Sequence, residues 1–223
     1  YTDEKEIDHE LLQMSSDHLF YRDIKSMIPT KYIYPKGDEF NEITFYLFSD
    51  QSGLAYIDKT KGEHTTLFDL LRNQEVQLDD FLRYQQTKLE RLINKSYLYL
   101  DTNGRVLFSN FKAICLLKDL YNNEVLSYWH YPNDYRTIMD EFLEKGLVEA
   151  KSELFSKAEQ AYFNYHLNKS EFCNSLDLRN KYSHGTQPTD EASEQIHEMN
   201  YFIFLKLMIL IVIKINDDLD IID

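Results

Sequence analysis

Apolar residues at the start of the chain recur at a helical period: Ile7, Leu11, Leu12, Leu19, Phe20, Ile24 and Ile28. The spacing predicts an amphipathic helix over residues 1–28. Pro29 and Pro35 break the pattern, with Tyr32-Ile33-Tyr34 extended between them. Residues 44–48 are β-branched and aromatic, 50–53 (Asp-Gln-Ser-Gly) are turn formers, and 54–58 are apolar again. That order predicts a β-hairpin. A short helix follows from Thr65 or Thr66 to Arg72, then a longer one over 77–94 with Leu78, Phe81, Leu82, Leu89, Leu92 and Ile93 inward. Two further strand-like runs, 97–100 and 105–108, flank Asp101-Thr102-Asn103-Gly104. Asn-Gly between such runs predicts a second hairpin.

From Phe111 onward the pattern reads as helices over 111–128, 134–150 and 156–168. A short helix capped by Asn174 or Ser175 comes next, then a last one from a Thr189 cap to about Asn216. The last helix is apolar from 201 to 215 except for Lys206 and Lys214. Its unbroken apolar run, 207–213, falls short of the roughly 18–20 residues that cross a bilayer. It is therefore expected to be buried in a bundle, with a share in a dimer contact, and no membrane association is expected. Residues 217–223 read as a solvated acidic tail. The fold expected is mainly α: a smaller α+β region with two β-hairpins over 1–110, then a helical domain over 111–223. Helix, helix, hairpin is also the order of a winged helix-turn-helix. The first region is thus read as winged-helix-like, with the 77–95 helix reading nucleic acid and Arg105 on the wing. A scaffold that makes protein contacts only fits the same order. No internal repeat is evident.

Composition sharpens this picture. The chain has 223 residues, 43% apolar and 14% aromatic, with 17 Tyr and 14 Phe against 6 Gly and 4 Pro, which favours long helices around a real core. A net charge of −14 argues against a protein that coats itself with nucleic acid. Residues 81–118 depart from that balance: Arg83, Lys88, Arg91, Lys95, Arg105, Lys112 and Lys118 stand against Glu90 and Asp101. A local basic face and a mixed solvated face both fit. Cys115 and Cys173 lie in helical apolar patterns and are expected to be buried, reduced thiols. The first residues carry no signal-peptide pattern, and the cytoplasm is the expected setting. The chain opens on Tyr1 and not Met, as a piece of a longer protein would. Phosphate-binding glycine loops, HExxH, CxxC and metal-ligand spacings are absent, so no cofactor and no metal are expected.

The chemistry concentrates in Leu178-Arg179-Asn180-Lys181-Tyr182-Ser183-His184-Gly185. Arginine offers a permanently charged planar fork for phosphate oxygens. Histidine can take and return a proton near neutral pH. Together they suit metal-free cleavage of RNA by its own 2′-hydroxyl. The same residues also make an ordinary helix C-terminus, with cations at the negative end of the dipole and Gly as the cap. On one ideal helix the two side chains diverge by about 140°, so joint action requires the helix to end or distort near His184. His130 beside Trp129 and His166 among aromatics read as packing residues.

Arg, a polar residue, then His after a few positions, followed by a long apolar helix, resembles the HEPN superfamily. Arg179, Asn180 and His184 fall on the three motif places. The resemblance covers at most about the last 110 residues. It implies an all-α bundle and a metal-independent endoribonuclease of defence or toxin systems, with RNA as substrate. It also implies a homodimer through the C-terminal helical domain and an antitoxin or regulatory partner. By that likeness Arg179 neutralises the phosphate, His184 is the general acid/base and Asn180 orients one or the other. Some members carry a Tyr two residues after the His, modified by a partner nucleotidyltransferase; here Thr186 stands there. Other members are non-catalytic dimerisation or nucleic-acid-binding modules, which is the alternative expectation.

Overall fold

A computed structural model describes residues 20–60, 62–169, 171–184 and 194–222. The protein is mainly helical with small antiparallel sheets. It divides into two compact units, Thr30–Lys151 and the pair Tyr1–Pro29 with Ser152–Asp223. The boundary expected near residue 110 falls inside the first of these. The predicted helix over residues 1–28 lies outside the described residues up to 19; beyond that, only a 3-10 turn, Tyr21–Asp23, is helical.

Strand β1 (Tyr32–Pro35) opens the Thr30–Lys151 unit and leads into helix α1 (Gly37–Phe48). The hairpin expected over 44–58 is absent, and its first strand is the C-terminal part of α1. Phe40, Ile43, Thr44, Leu47 and Phe48 are buried, and their spacing is a helical stripe that a five-residue window cannot display. The Thr44 hydroxyl donates to the Phe40 carbonyl at 2.8 Å. Residues 54–58 do not form the return strand. The buried Gln85 amide instead holds this stretch, its Nε2 donating to Gly53 O at 2.7 Å and Tyr56 O at 2.9 Å.

Helix α2 (Leu67–Asn73) starts on the Thr66 hydroxyl, which accepts from Asp69 N at 3.1 Å. The helix expected over 77–94 is two pieces, a 3-10 turn Leu78–Asp80 and α3 (Arg83–Asn94). Side chains start each piece: Asp80 accepts from Gln77 N and Gln85 accepts from Leu82 N, both at 2.8 Å. The second expected hairpin is present as β2 (Leu98–Leu100) and β3 (Val106–Phe108). Asp101 fixes its turn by accepting from Asn103 N and Arg105 N, and Gly104 supplies the positive φ of 76°. After α4 (Phe111–Asn123) come β4 (Leu126–Ser127), a 3-10 turn Tyr128–His130, α5 (Asn133–Glu144) and β5 (Val148–Lys151). The region from Phe111 is therefore not helical throughout. The helix expected to reach residue 150 stops at Glu144, and β5 pairs with β1.

An internal repeat, not evident in the sequence, organises this unit. The series α2, 3-10 turn, α3, β2 recurs as α4, 3-10 turn, α5, β5 at an offset of 50 residues: Leu78 corresponds to Tyr128, Arg83 to Asn133 and Leu98 to Val148. Both copies turn on a left-handed residue, Ser96 (φ 62°) and Gly146 (φ 71°). Between 67–98 and 117–148 only Leu67/Leu117, Asp69/Asp119, Leu70/Leu120, Asn73/Asn123, Thr87/Thr137 and Lys95/Lys145 are identical. What recurs is burial, as in Leu89/Met139 and Leu92/Phe142. The middle strands are exchanged. β3, which leads into the second copy, pairs with β2 and bridges Gln77 through Arg105 in the first. β1, which leads into the first copy, lies between β4 and β5 of the second. A cut at 110 would part β1 from both its neighbours.

The other unit holds α6 (Lys157–Leu167), α7 (Leu178–Ser183) and α8 (Glu194–Ile222). Its buried centre is Leu154, Phe155, Phe163 and Leu207, with Tyr21, Ile24, Tyr162 and Ile203 packed on it. Tyr21 stacks on Phe163 with ring centroids 5.1 Å apart. Cys173 in this unit is exposed, against expectation; Cys115 in the other is half-buried, and burial pushes its thiol pKa up.

Helix α8 departs most from expectation. It is not buried all round: Leu207 and Asp218 are its buried residues. The residues expected as a solvated tail continue the helix to Ile222, and Asp218 is wholly buried, accepting from the Ser26 hydroxyl at 2.6 Å and Met27 N at 3.0 Å. The Thr189 cap lies outside the described residues. By length and composition alone α8 is long and apolar enough to cross a membrane, with 6% of its most apolar window buried. One face is nevertheless fixed to its own unit. Lys214 Nζ meets Glu159 Oε1 at 2.8 Å, and Glu159 also accepts from Ser156 N at 2.7 Å.

Burial opposes ionisation of Glu159, but the Lys214 and Ser156 hydrogen bonds outweigh it and hold the carboxyl below the usual 4.5. A depressed carboxyl adds stability that is full above its unfolded pKa and lost as pH falls through the folded one. Urea titrations between about pH 7 and pH 3 should therefore show this unit weakening below about pH 4.5, and Glu159→Gln should flatten that slope. An equal slope in the variant would remove Glu159 as its source.

Candidate functional site

Helix α7 carries the Arg–His stretch. The expected caps, Asn174 and Ser175, are not used; Asp177 is the N-cap, in the left-handed region at φ 52°. The Asn180 amide donates to Asp177 Oδ1 at 2.8 Å, which braces that turn. Leu178 is buried and anchors the helix, while residues 179–184 are exposed. The helix ends at Ser183, and His184 is its C-cap, its N–H donating to Asn180 O at 3.0 Å. Arg179 and His184 thus stand at the start and the end of one short helix. Gly185 lies outside the described residues.

Among the described residues, neither the Arg179 nor the His184 side chain makes a hydrogen bond or an ion pair. Arg179 lies near Tyr21: burial pushes the Tyr21 pKa up, and the Arg179 charge opposes part of that rise. The Asn180 side chain is occupied with Asp177, and its link to His184 is the backbone hydrogen bond alone.

A cavity of about 490 Å³ opens beside this helix, lined by Leu167, Leu178, Arg179, Tyr182, Ser183, His197, Asn200, Tyr201 and Phe204. The Tyr182 hydroxyl lies 3.0 Å from His197 Nδ1 and accepts from Asn200 Nδ2 at 3.2 Å. Sequence reasoning missed Tyr182, His197 and Asn200. The available signal was the stripe His197, Asn200, Tyr201, Phe204, spaced as one helical face at the start of an otherwise apolar run. His166 packs between Tyr162 and Tyr165, at ring distances of 4.5 and 5.2 Å, and does not line the cavity. Burial, then the Lys206 charge, lowers its pKa.

Four of the seven cations of 81–118 are paired with carboxylates. Arg91 pairs with Glu42 at 2.8 Å, Lys95 with Glu39 and Glu42, Arg105 with Glu75, and Lys112 with Asp134. Lys88 donates to Ser52 O, and Lys118 lies over the Phe68 ring. Such exposed pairs add little stability, but they cancel the field that attracts a phosphate backbone. Among the described residues no group of three or more His, Cys, Asp or Glu could hold a metal ion. No protein-family model matches this chain, and no curated protein and no solved structure is significantly similar to it.

Proposed function

We propose that this chain is a metal-independent endoribonuclease of the HEPN type, a defence or toxin module that works in the cytoplasm as a homodimer. The observation that carries the reading is the exposed Arg179 and His184, without hydrogen bonds or ion pairs to the described residues, at the two ends of α7, beside a cavity. The substrate 2′-hydroxyl attacks phosphorus, forming the P–O2′ bond as the P–O5′ bond breaks. His184 takes the 2′ proton or gives one to the departing 5′-oxygen, and Arg179 neutralises the phosphorane. Asn180 acts indirectly, by bracing the turn from which Arg179 projects. Cleavage in EDTA by the parent, lost in Arg179→Ala and His184→Ala, tests the reading.

The homodimer rests on α8. Phe202, Leu205, Ile209, Val212 and Leu219 are exposed, and with Asn216 they alternate at three and four residues, the spacing of a helix-pairing seam. A lone Asn among apolar seam residues fixes register and copy number. Light scattering on the eluting protein should give a dimer for the parent and a monomer for the Ile209→Asp/Val212→Asp double variant. A monomeric parent at micromolar concentration removes α8 as a self-pairing surface.

The same face favours a second reading, a non-catalytic dimerisation module in which Arg179 and His184 only end a helix. A folded, dimeric parent that cuts no RNA supports it. The paired cations of the winged-helix-like region weigh against nucleic-acid binding by α3.

A further inference from the structure

We infer that the cavity beside Arg179 takes one unstacked nucleobase carried on a phosphorylated ribose. This rests on the ribonuclease reading and names the part of the substrate that the site grips. The volume of about 490 Å³ suits a small ligand or a single flipped base. Tyr201 and Phe204 of α8, with Leu167 and Leu178, supply flat aromatic and apolar walls. Polar groups converge from two helices: Tyr182 of α7 meets His197 and Asn200 of α8 through bonds of 3.0 and 3.2 Å. An amide held this way presents a donor and an acceptor, the combination that reads a base edge. Among the described residues no Asp or Glu lines the cavity. Among them a cationic ligand finds no counter-charge, whereas Arg179 offers a fixed cation on the wall. An aromatic ring that bears an anion satisfies the walls, the polar cluster and Arg179 together. Single-stranded RNA is read in this way, by stacking and edge hydrogen bonds.

Saturation-transfer NMR with the 3′-monophosphates of the four nucleosides and with ribose 5-phosphate tests this. Saturation should be strongest on base protons. Phe204→Ala should weaken all nucleotides about tenfold. Asn200→Ala and the milder Tyr182→Phe should change the order of preference among bases. Arg179→Ala should weaken nucleotides and ribose 5-phosphate alike. A 2′-O-methyl RNA trinucleotide separates the sources: tighter binding than the mononucleotide marks an RNA strand, and equal or weaker binding a free nucleotide. Ribose 5-phosphate binding as well as the nucleotides, or unsaturated base protons, overturns the base pocket. Should that result accompany EDTA-resistant cleavage that Arg179→Ala abolishes, the nuclease reading stands alone. Base binding without cleavage leaves the pocket and removes the nuclease.

Discussion

Purified protein should cut single-stranded RNA in excess EDTA, and His184→Ala should lower the rate by about 10²–10⁴-fold, the range for losing a general acid or base. Arg179→Ala should cost about 10²–10³-fold, as expected when one fixed partner of the developing charge is removed. Both side chains are exposed and without partners among the described residues, so neither change should lower the melting temperature. This separates chemistry from folding. Arg179→Lys keeps the charge and loses the planar fork, so its rate should fall between parent and alanine variant. The products should end in 2′,3′-cyclic phosphate and 5′-hydroxyl, because the attacking oxygen is the substrate's own. Full activity in either alanine variant would sink the mechanism.

The second large effect is structural. Phe163→Ala should cost about 3–5 kcal/mol, the usual result of emptying a buried aromatic site. Phe163 is 1% exposed, with Phe155 at 4.8 Å and Tyr21 at 5.1 Å between ring centroids. Among the described residues the centre it belongs to has four buried apolar residues, so few of them can compensate. The Thr30–Lys151 unit has its own core around Ile33, Leu47, Leu89 and Leu116. Calorimetry of Phe163→Ala should therefore lose one transition and keep the other, with RNA cleavage lost as well. Leu89→Ala should do the reverse to the transitions. A single transition that both variants shift equally would mean the two cores do not melt separately.

Much of this was legible because it is local. Asn103-Gly104 announced the β2–β3 hairpin, and Thr66 the start of α2, through bonds within a few residues. The Arg179–His184 spacing was legible in the same sense, as was the need for a helix end between them. Residues 44–48 misled because β-branched and aromatic types suit a strand locally, while their burial follows the longer α1 stripe. The repeat was hidden because it preserves burial and turn geometry, not identities: a left-handed Ser96 answers to Gly146. Helix α8 misled in another way. An all-round apolar pattern reports that water is excluded, but not whether the excluding surface belongs to the same chain. Tyr182, His197 and Asn200 meet only because α7 and α8 line one cavity, and no spacing along the chain encodes that.

The site-bearing unit is split around the other, so the ribosome makes it in two instalments. Residues 20–29 emerge early and wait while Thr30–Lys151 is synthesised, on the order of 6–24 s at about 5–20 residues per second. The intervening unit can close as soon as β5 appears and claims β1. Asp218, made after the intervening unit, must then come back to Ser26 and Met27. Arg179 and His184 thus gain their final surroundings only once α8 has been made, and a nascent chain stalled before α8 carries the motif without the pocket.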